Sequence, residues 1–260
     1  MFDFIARRDK PRFPFAVATV TDRGFVRRAN EDSLLCLGDD GLFCVSDGMG
    51  GGAGGALASR WICDAFAAIM AAEKESVYEI RQFALVKEIQ RVNDKIRTYA
   101  RERGYKMMGA TIALMLVDVA RPSRALICHA GDSRIYRLRS GTLVQLTRDH
   151  TVGNELGRAL SENAAERAAD LQSRRNPLTH ILTRAIGTEL RARPDLAEVD
   201  IKRGDRFLFC SDGVHDMLTD EEISALLAGG TGPSATVKDI EAAVRKAGAA
   251  DNYTMICVFT

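Results

Sequence analysis

Phe43-Cys44-Val45-Ser46-Asp47-Gly48 is an apolar run ending in Ser-Asp-Gly, and Leu208-Phe209-Cys210-Ser211-Asp212-Gly213 repeats the pattern near the other end of the chain. Each reads as a buried strand that delivers a carboxylate at a sheet edge, with a glycine behind it that allows a sharp turn and leaves a carbonyl free to face a ligand. Asp-Gly is a common turn in its own right, so one copy alone says little. Other acids occupy the same kind of place. Asn30-Glu31-Asp32 precedes a strand, Gly131-Asp132-Ser133-Arg134 joins two strands, Asp216 follows the second Ser-Asp-Gly, and Asp251-Asn252 opens the last strand. If several of these carboxylates converge, each pair about 4 Å apart repels by roughly 4 kcal/mol at an effective dielectric of about 20, which a marginally stable fold cannot carry without counter-charge. Bound cations resolve the conflict. Ligation by oxygen, with no His or Cys at ligand spacing, selects Mg²⁺ or Mn²⁺ over Zn²⁺. Two such ions on a shared carboxylate acidify a water and neutralise phosphoryl oxygens.

Around these turns the chain reads as short apolar strands at 13–20, Ser33–Leu37, Leu42–Ser46, 111–119, 125–129, 134–138, 207–210 and Tyr253–Phe259, bounded by glycines or charges. Two long helical patterns follow the third strand, at Ala53–Ala72 and 77–103, and strands then resume without alternating helices. That order fits antiparallel sheets flanked by helices better than a parallel doubly wound sheet. Residues 154–172 carry Leu156, Leu160, Ala164, Ala168 and Leu171 at helical spacing among charges of both signs, as a surface insertion would, and 229–234 reads as a loop.

Lys plus Arg number 36 against 35 Asp plus Glu, so there is no long-range field for nucleic acid or an anionic membrane, and phosphate recognition has to be local. The six cysteines form no Cys-x-x-Cys pair and mostly sit in apolar stretches, which points to a reducing compartment and away from structural zinc. Residues 1–12 lack the apolar core of a signal peptide, and the apolar runs are too short to span a bilayer, so a soluble, cytoplasmic protein is expected.

The motifs Thr21-Asp22-x-Gly24-x-Val26-Arg27-x-x-Asn30-Glu31-Asp32, Val45-Ser46-Asp47-Gly48-Met49-Gly50-Gly51, Met108-Gly109-Ala110-Thr111, Ala130-Gly131-Asp132-Ser133-Arg134, Leu182-Thr183-Arg184-Ala185-Ile186-Gly187, Ser211-Asp212-Gly213 and Asp251-Asn252 run in order over nearly the whole chain. In that order they resemble the bacterial branch of the protein phosphatase 2C (PPM) family. The resemblance implies one α+β domain over residues 1–260. Its architecture is a β-sandwich of two antiparallel sheets flanked by pairs of antiparallel helices, four layers in αββα order, with metals in a cleft at one end. It implies that Asp47 bridges two Mn²⁺ or Mg²⁺ ions, that Gly48 ligates one through its carbonyl, and that Asp212 and Asp251 complete the other. Glu31 and Asp32 match acids that act mainly through metal-bound water, and Asp132 and Asp216, with Asp212, match a third, weaker ion site. Arg27 matches the arginine that grips the substrate phosphate, a role suited to its planar fork, so Arg27, Asp32, Asp47 and Asp212 form the catalytic set. Asn252 is expected to orient Asp251. The implied activity is hydrolysis of phosphoserine and phosphothreonine in proteins, opposing a Ser/Thr kinase, by a monomer. Residues 150–176 match the variable flap, whose Arg158, Arg167, Arg174 and Arg175 read either as a solvated face or as contacts to substrate flanks.

One departure stands out. Relatives often carry His in the Gly-rich turn, whereas this chain reads Gly50-Gly51-Gly52-Ala53. The proton donor for the leaving alkoxide is then a metal-bound water or His215, while His129, His150 and His180 have no stronger claim. A dinucleotide-binding reading of Gly48-x-Gly50-x-x-Ala53 meets the objection that Asp47 would sit beside a pyrophosphate, and no Gly-Lys-Ser/Thr supports a P-loop. A catalytically inactive phosphoprotein-binding module of the same fold is the alternative from another class, and the filled acidic positions weigh against it.

Overall fold

Within β3 (Leu42–Ser46), Phe43 and Val45 point to one side and Leu42 and Cys44 to the other, and all are fully buried. A strand buried on both faces needs a layer on each side. The computed structural model, which describes residues 15–74, 76–160 and 176–260, supplies those layers.

One sheet has the order β1-β12-β11-β8-β9, built from Ala16–Asp22 (β1), Arg134–Arg139 (β8), Thr142–Gln145 (β9), Arg206–Cys210 (β11) and Tyr253–Phe259 (β12). The other runs β10-β7-β6-β3-β2, from Ser33–Leu37 (β2), β3, Ile112–Val117 (β6), Arg124–Ala130 (β7) and Asp195–Asp200 (β10). Gly48–Met49 (β4) and Gly109–Ala110 (β5) form a separate ribbon, and every named strand pair is antiparallel. Phe43, Val45, Met115, Ile127, Phe207, Phe209 and Ile256 interdigitate between the sheets, as in a face-to-face sandwich. On one outer face lie α1 (Ala53–Ala72) and α2 (Tyr78–Arg103), burying Ile62, Phe66, Ile89 and Ile96 against Cys44 and Leu114. On the other lie α5 (Asp220–Gly229) and α6 (Pro233–Lys246), burying Ile223, Leu227, Ile240 and Val244 against Leu208 and Met255. The expected α+β, four-layer αββα sandwich is therefore the observed architecture. By length and hydropathy α1 would suffice to cross a bilayer, but its Ala58–Ile62–Phe66–Met70 face is committed to this core.

Several sequence boundaries move. The strand expected over 111–119 runs only from Ile112 to Val117; Thr111 stands outside it because its backbone turns aside to bond Asp47. The helix expected over 77–103 begins at Tyr78, and Val77 is its extended N-cap. Helices do follow the later strands, contrary to the expectation of strands alone. They are α5, entered through a Thr219–Glu222 capping box, and α6, entered through Pro233 in its first turn. The loop expected at 229–234 narrows to the three-residue link 230–232 between them, since Gly229 ends α5 and Pro233 and Ser234 begin α6. β10 is an exposed edge strand rich in acids, and β9 returns from β8 through Ser140 and Gly141, both at positive φ. Of the helix expected over 154–172, the described part is α3 (Val152–Leu160); the rest, with Arg167, Arg174, Arg175 and the start of the strand expected over 13–20, lies outside the described residues.

Phe209 is fully buried between the sheets, with its ring 5.9 Å from that of Phe43. Phe209→Ala should lower unfolding stability by about 3–5 kcal/mol, read as a fall in the urea midpoint at unchanged slope.

Candidate metal centre

The strand ends place the acids. Asp47 leaves β3 with its backbone clamped by Thr111: its N–H donates to Thr111 Oγ1 at 2.9 Å, and the Thr111 N–H donates to its carbonyl at 2.9 Å. Ser46 Oγ donates to the Thr111 carbonyl at 2.7 Å, and Ser133 Oγ lies 2.6 Å from Thr111 Oγ1. Asp212 leaves β11 at the start of α4 (Asp212–His215), and the Ser211 hydroxyl before it donates to Asp32 Oδ2 at 2.7 Å. Asp251 enters β12 beside Asn252, whose Nδ2 donates to the Arg23 and Ala29 carbonyls and whose Oδ1 accepts from the Glu31 N–H at 2.8 Å. Asn252 therefore fastens the Arg23–Glu31 loop to β12, a larger role than orienting Asp251 alone, although its own N–H also donates to Asp251 Oδ1 at 2.7 Å. The glycines of both Ser-Asp-Gly turns are required by space. A Cβ at Gly48 would overlap the Gly55 carbonyl, and one at Gly213 the Asn252 carbonyl.

These elements bring Arg27, Glu31, Asp47, Gly48, Asp132, Asp212 and Asp251 to the walls of one cleft of about 470 Å³. Asp32 is buried behind it, hydrogen-bonded to Ser211, and Asp216 lines an adjoining small cavity with Asp132 and Asp212. Glu31 Oε1 accepts from the Gly52 N–H at 2.7 Å, tying it to the Gly-rich turn. Arg27 donates to Asp251 Oδ2 at 2.5 Å. Met49, Met107, Thr111, His180, Ile181 and Leu182 complete the walls, and only His180 and Thr111 among them are chemically informative.

His180 was not singled out by the sequence. It reaches the cleft because the 3-10 turn Pro177–His180 carries it there, with Nδ1 3.4 Å from Asp216 Oδ2. His215, weighed as a proton donor, is buried with Nε2 3.1 Å from the Asp132 carbonyl, so it holds the Asp132 loop and does not face the open cleft. His129 and His150 stack in the interior, and burial pushes the His129 imidazole down to about 4.

The electrostatics are those of an overcrowded anionic site. Asp47 and Asp212 keep an edge on the cleft, while protein surrounds them on the other sides. That burial holds their carboxyls well above the ordinary range, and neighbouring acids raise them further: Asp32, Asp212 and Asp132 around Asp47, and Asp132, Asp251 and Asp216 around Asp212. Burial, with Asp149 and Asp216, pushes Asp132 up to about 7; burial pushes Asp32 up to about 6 against the opposing hydrogen bond from Ser211. Asp216 goes the other way: burial acts to raise it, but His215, His180 and Arg134 hold it below the usual value. Among the described residues no three or more His, Cys, Asp or Glu side chains are arranged as they would be around a metal ion. The acids line open walls, and Arg27 engages Asp251. Asp32 Oδ1 and Asp212 Oδ1 are nevertheless buried without any hydrogen-bond partner. Buried lone pairs and repelling carboxylates on the walls of one cleft are an all-oxygen donor set that fits hard divalent cations.

A family model described as Protein phosphatase 2C matches residues 27–247. The chain belongs to the protein phosphatase 2C family. It is 33% identical over 249 residues to the serine/threonine phosphatase stp of Listeria welshimeri, covering 92% of this chain and 93% of that protein. Among solved structures it is similar to PppA, a regulatory component of the type VI secretion system in Pseudomonas aeruginosa (TM-score 0.81, 33% identity, 94% of this chain and 97% of that one). It is also similar to the catalytic domain of the phosphatase PstP, solved with two manganese ions (TM-score 0.77, 28% identity, 95% of this chain and 99% of that one). In this protein phosphatase 2C member Glu31, Asp47, Asp132, Asp212 and Asp251 line one cleft, with Asp32 behind it and Asp216 in the adjoining cavity.

A carboxyl whose folded pKa is raised binds a proton that the unfolded chain releases. Its contribution to stability is complete below the ordinary carboxylate range and disappears as pH rises through the folded value. In chelator, the urea midpoint should therefore fall between about pH 4 and pH 7, the window set by Asp32 at about 6 and Asp132 at about 7, because these two with Asp47 and Asp212 outweigh the lowered buried histidines, His129 at about 4 with His150 and His215, which act in the opposite sense. Asp47→Asn, which removes one charge from the cluster, should raise stability at pH 7.5 by about 1–2 kcal/mol. A wild-type midpoint that climbs across this window contradicts the reading.

Proposed function

We propose that this chain is a metal-dependent phosphatase that removes phosphate from phosphoserine and phosphothreonine in proteins and opposes a Ser/Thr kinase in the cytoplasm. The observation that carries the proposal is the meeting of Asp47, Asp212 and Asp251, from the ends of three separate strands, in one cleft with Arg27. Asp47, the Gly48 carbonyl, Asp212 and Asp251 would hold two Mn²⁺ or Mg²⁺ ions, and Asp132 with Asp216 and Asp212 a third, weaker one. Bound there, such ions supply an acidified water and neutralise phosphoryl charge. This suits a reaction that is among the slowest uncatalysed ones known.

The chain's own residues do the rest. Thr111 and Ser46 fix the Asp47 backbone, so its carboxylate cannot swing away from its neighbours. Asn252 holds the Arg27 loop against β12, which keeps the guanidinium within reach of the acids. Arg27 is about half exposed, with Asp251 as its anionic partner, and its fork can exchange that carboxylate for two oxygens of a phosphate. Glu31, held by the Gly52 N–H, and buried Asp32 orient water at the cleft floor through their remaining oxygens. The single domain and monomeric state expected from the sequence complete this reading.

The test is p-nitrophenyl phosphate and phosphothreonine-peptide hydrolysis with Mn²⁺, with Mg²⁺ and with EDTA. Turnover should require the metal, Asp212→Ala should remove it by at least about 10²-fold, and Arg27→Ala should raise KM more than it lowers kcat. If folded protein shows no turnover with either ion yet binds phosphopeptide, the inactive binding module is the correct reading.

A further inference from the structure

Next to the cleft, at the C-terminal end of α2, lies a second cavity of about 540 Å³ whose walls include Arg97, Arg101, Tyr105, Lys106, Met107 and Thr188 and no carboxylate. Met107 lines both this cavity and the cleft, so the two adjoin. Neighbouring cations on the same helix are accounted for. Lys95 lies over the Trp61 ring at 4.0 Å, and Arg103 over the Tyr99 ring at 5.5 Å. Arg97 reaches Asp94 only at 3.9 Å, and neither Arg101 nor Lys106 has a side-chain partner among the described residues. Cations in the last turn of a helix do favour its dipole, but that accounts for Arg101 alone, since Lys106 lies beyond the Gly104 cap. Arg101 and Lys106, without a counter-charge among the described residues, and Arg97, held only by the long contact to Asp94, face one cavity in a chain whose net charge is only +1, and together form a local anion site.

Resting on the phosphatase reading above, we propose that this pocket selects substrates by binding an anionic side chain, an Asp, a Glu or a second phosphorylated residue, that lies near the phosphorylated one in the substrate chain, because the two cavities share the Met107 wall. The cleft holds the reacting phosphate, and the Arg97–Arg101–Lys106 pocket holds the flank. The Met107 side chain, 53% exposed, separates them. The interaction is electrostatic and lies away from the reacting atoms, so it acts on substrate capture and leaves the chemical step alone.

The test uses matched phosphothreonine peptides with neutral, aspartate or phosphoserine flanks, and the variant Arg101→Ala/Lys106→Ala, whose side chains are exposed and support no core contact. Wild type should favour the anionic flanks, and the double variant should lose roughly tenfold in kcat/KM on them, mostly in KM, while the neutral peptide and p-nitrophenyl phosphate stay within about twofold. Arg101→Glu/Lys106→Glu should reverse the preference towards basic flanks. A response to phosphoserine but not aspartate makes the pocket a phosphate site; a response to both makes it a general anion site. Wild type without flank preference, or variants that slow all substrates equally, overturns the proposal. Should wild type fail on p-nitrophenyl phosphate itself, the phosphatase reading falls instead. Fluorescence anisotropy of the same peptides in EDTA then decides the pocket separately: unchanged binding on charge reversal sinks it.

Discussion

Carboxylates that repel one another are held together here in large part by bonds made to their backbones, with direct bonds to the carboxylates of Glu31 and Asp251 beside them. Thr111 grips the main chain of Asp47, and Asn252 grips the loop that carries Arg27 and Glu31. The Asp32 carboxyl likewise accepts from Ser211, yet one of its oxygens is still left without a partner. The sandwich provides the leverage. Two sheets whose central strands are buried on both faces cannot let those strand ends drift without opening the Phe43–Phe209 core, so the stability of three apolar layers stands against the local cost of gathering charge. Local instability of this kind is characteristic of functional sites.

The same geometry explains the division of labour among the cations. Arg134 is consumed by Asp149, and Arg139 by Asp200 and Asp205; these pairs brace the β8 face and are not available to substrate. Arg27 is different because its partner, Asp251, is itself one of the crowded acids, so an incoming phosphate can replace it without leaving a buried charge alone. The cations at the end of α2 are different again, because no acid was placed opposite them.

Much of this was legible in the sequence because the informative residues sit at strand ends, where apolar runs stop abruptly at Asp-Gly. Asp47 and Asp212 could be marked from that punctuation, Asp251 from its place at the opening of the last strand, β2, β3 and β12 from short apolar runs, and α1 and the body of α2 from apolar residues at helical spacing. What was missed had weaker local signals. α6 hides Val237, Ile240 and Val244 among charges, and the Thr219–Glu222 box that announces α5 was there to be read. Edge strand β10 alternates acids with Leu196 and Val199 and takes its structure from pairing with β7, which no local pattern reports. His180 and the basic pocket depend on which loops meet in space, and sequence spacing is silent on that. Thr111 read as the first residue of a strand because the turn it makes comes from a bond to Asp47, a residue 64 positions away.

The central claim is that these acids exist to hold hard cations in one place. An anomalous-difference map from crystals grown with Mn²⁺ tests it most directly. The account predicts two strong peaks flanking Asp47, one beside the Gly48 carbonyl and one between Asp212 and Asp251. A map with no manganese in this cleft, or with manganese only on the outer surface, contradicts it.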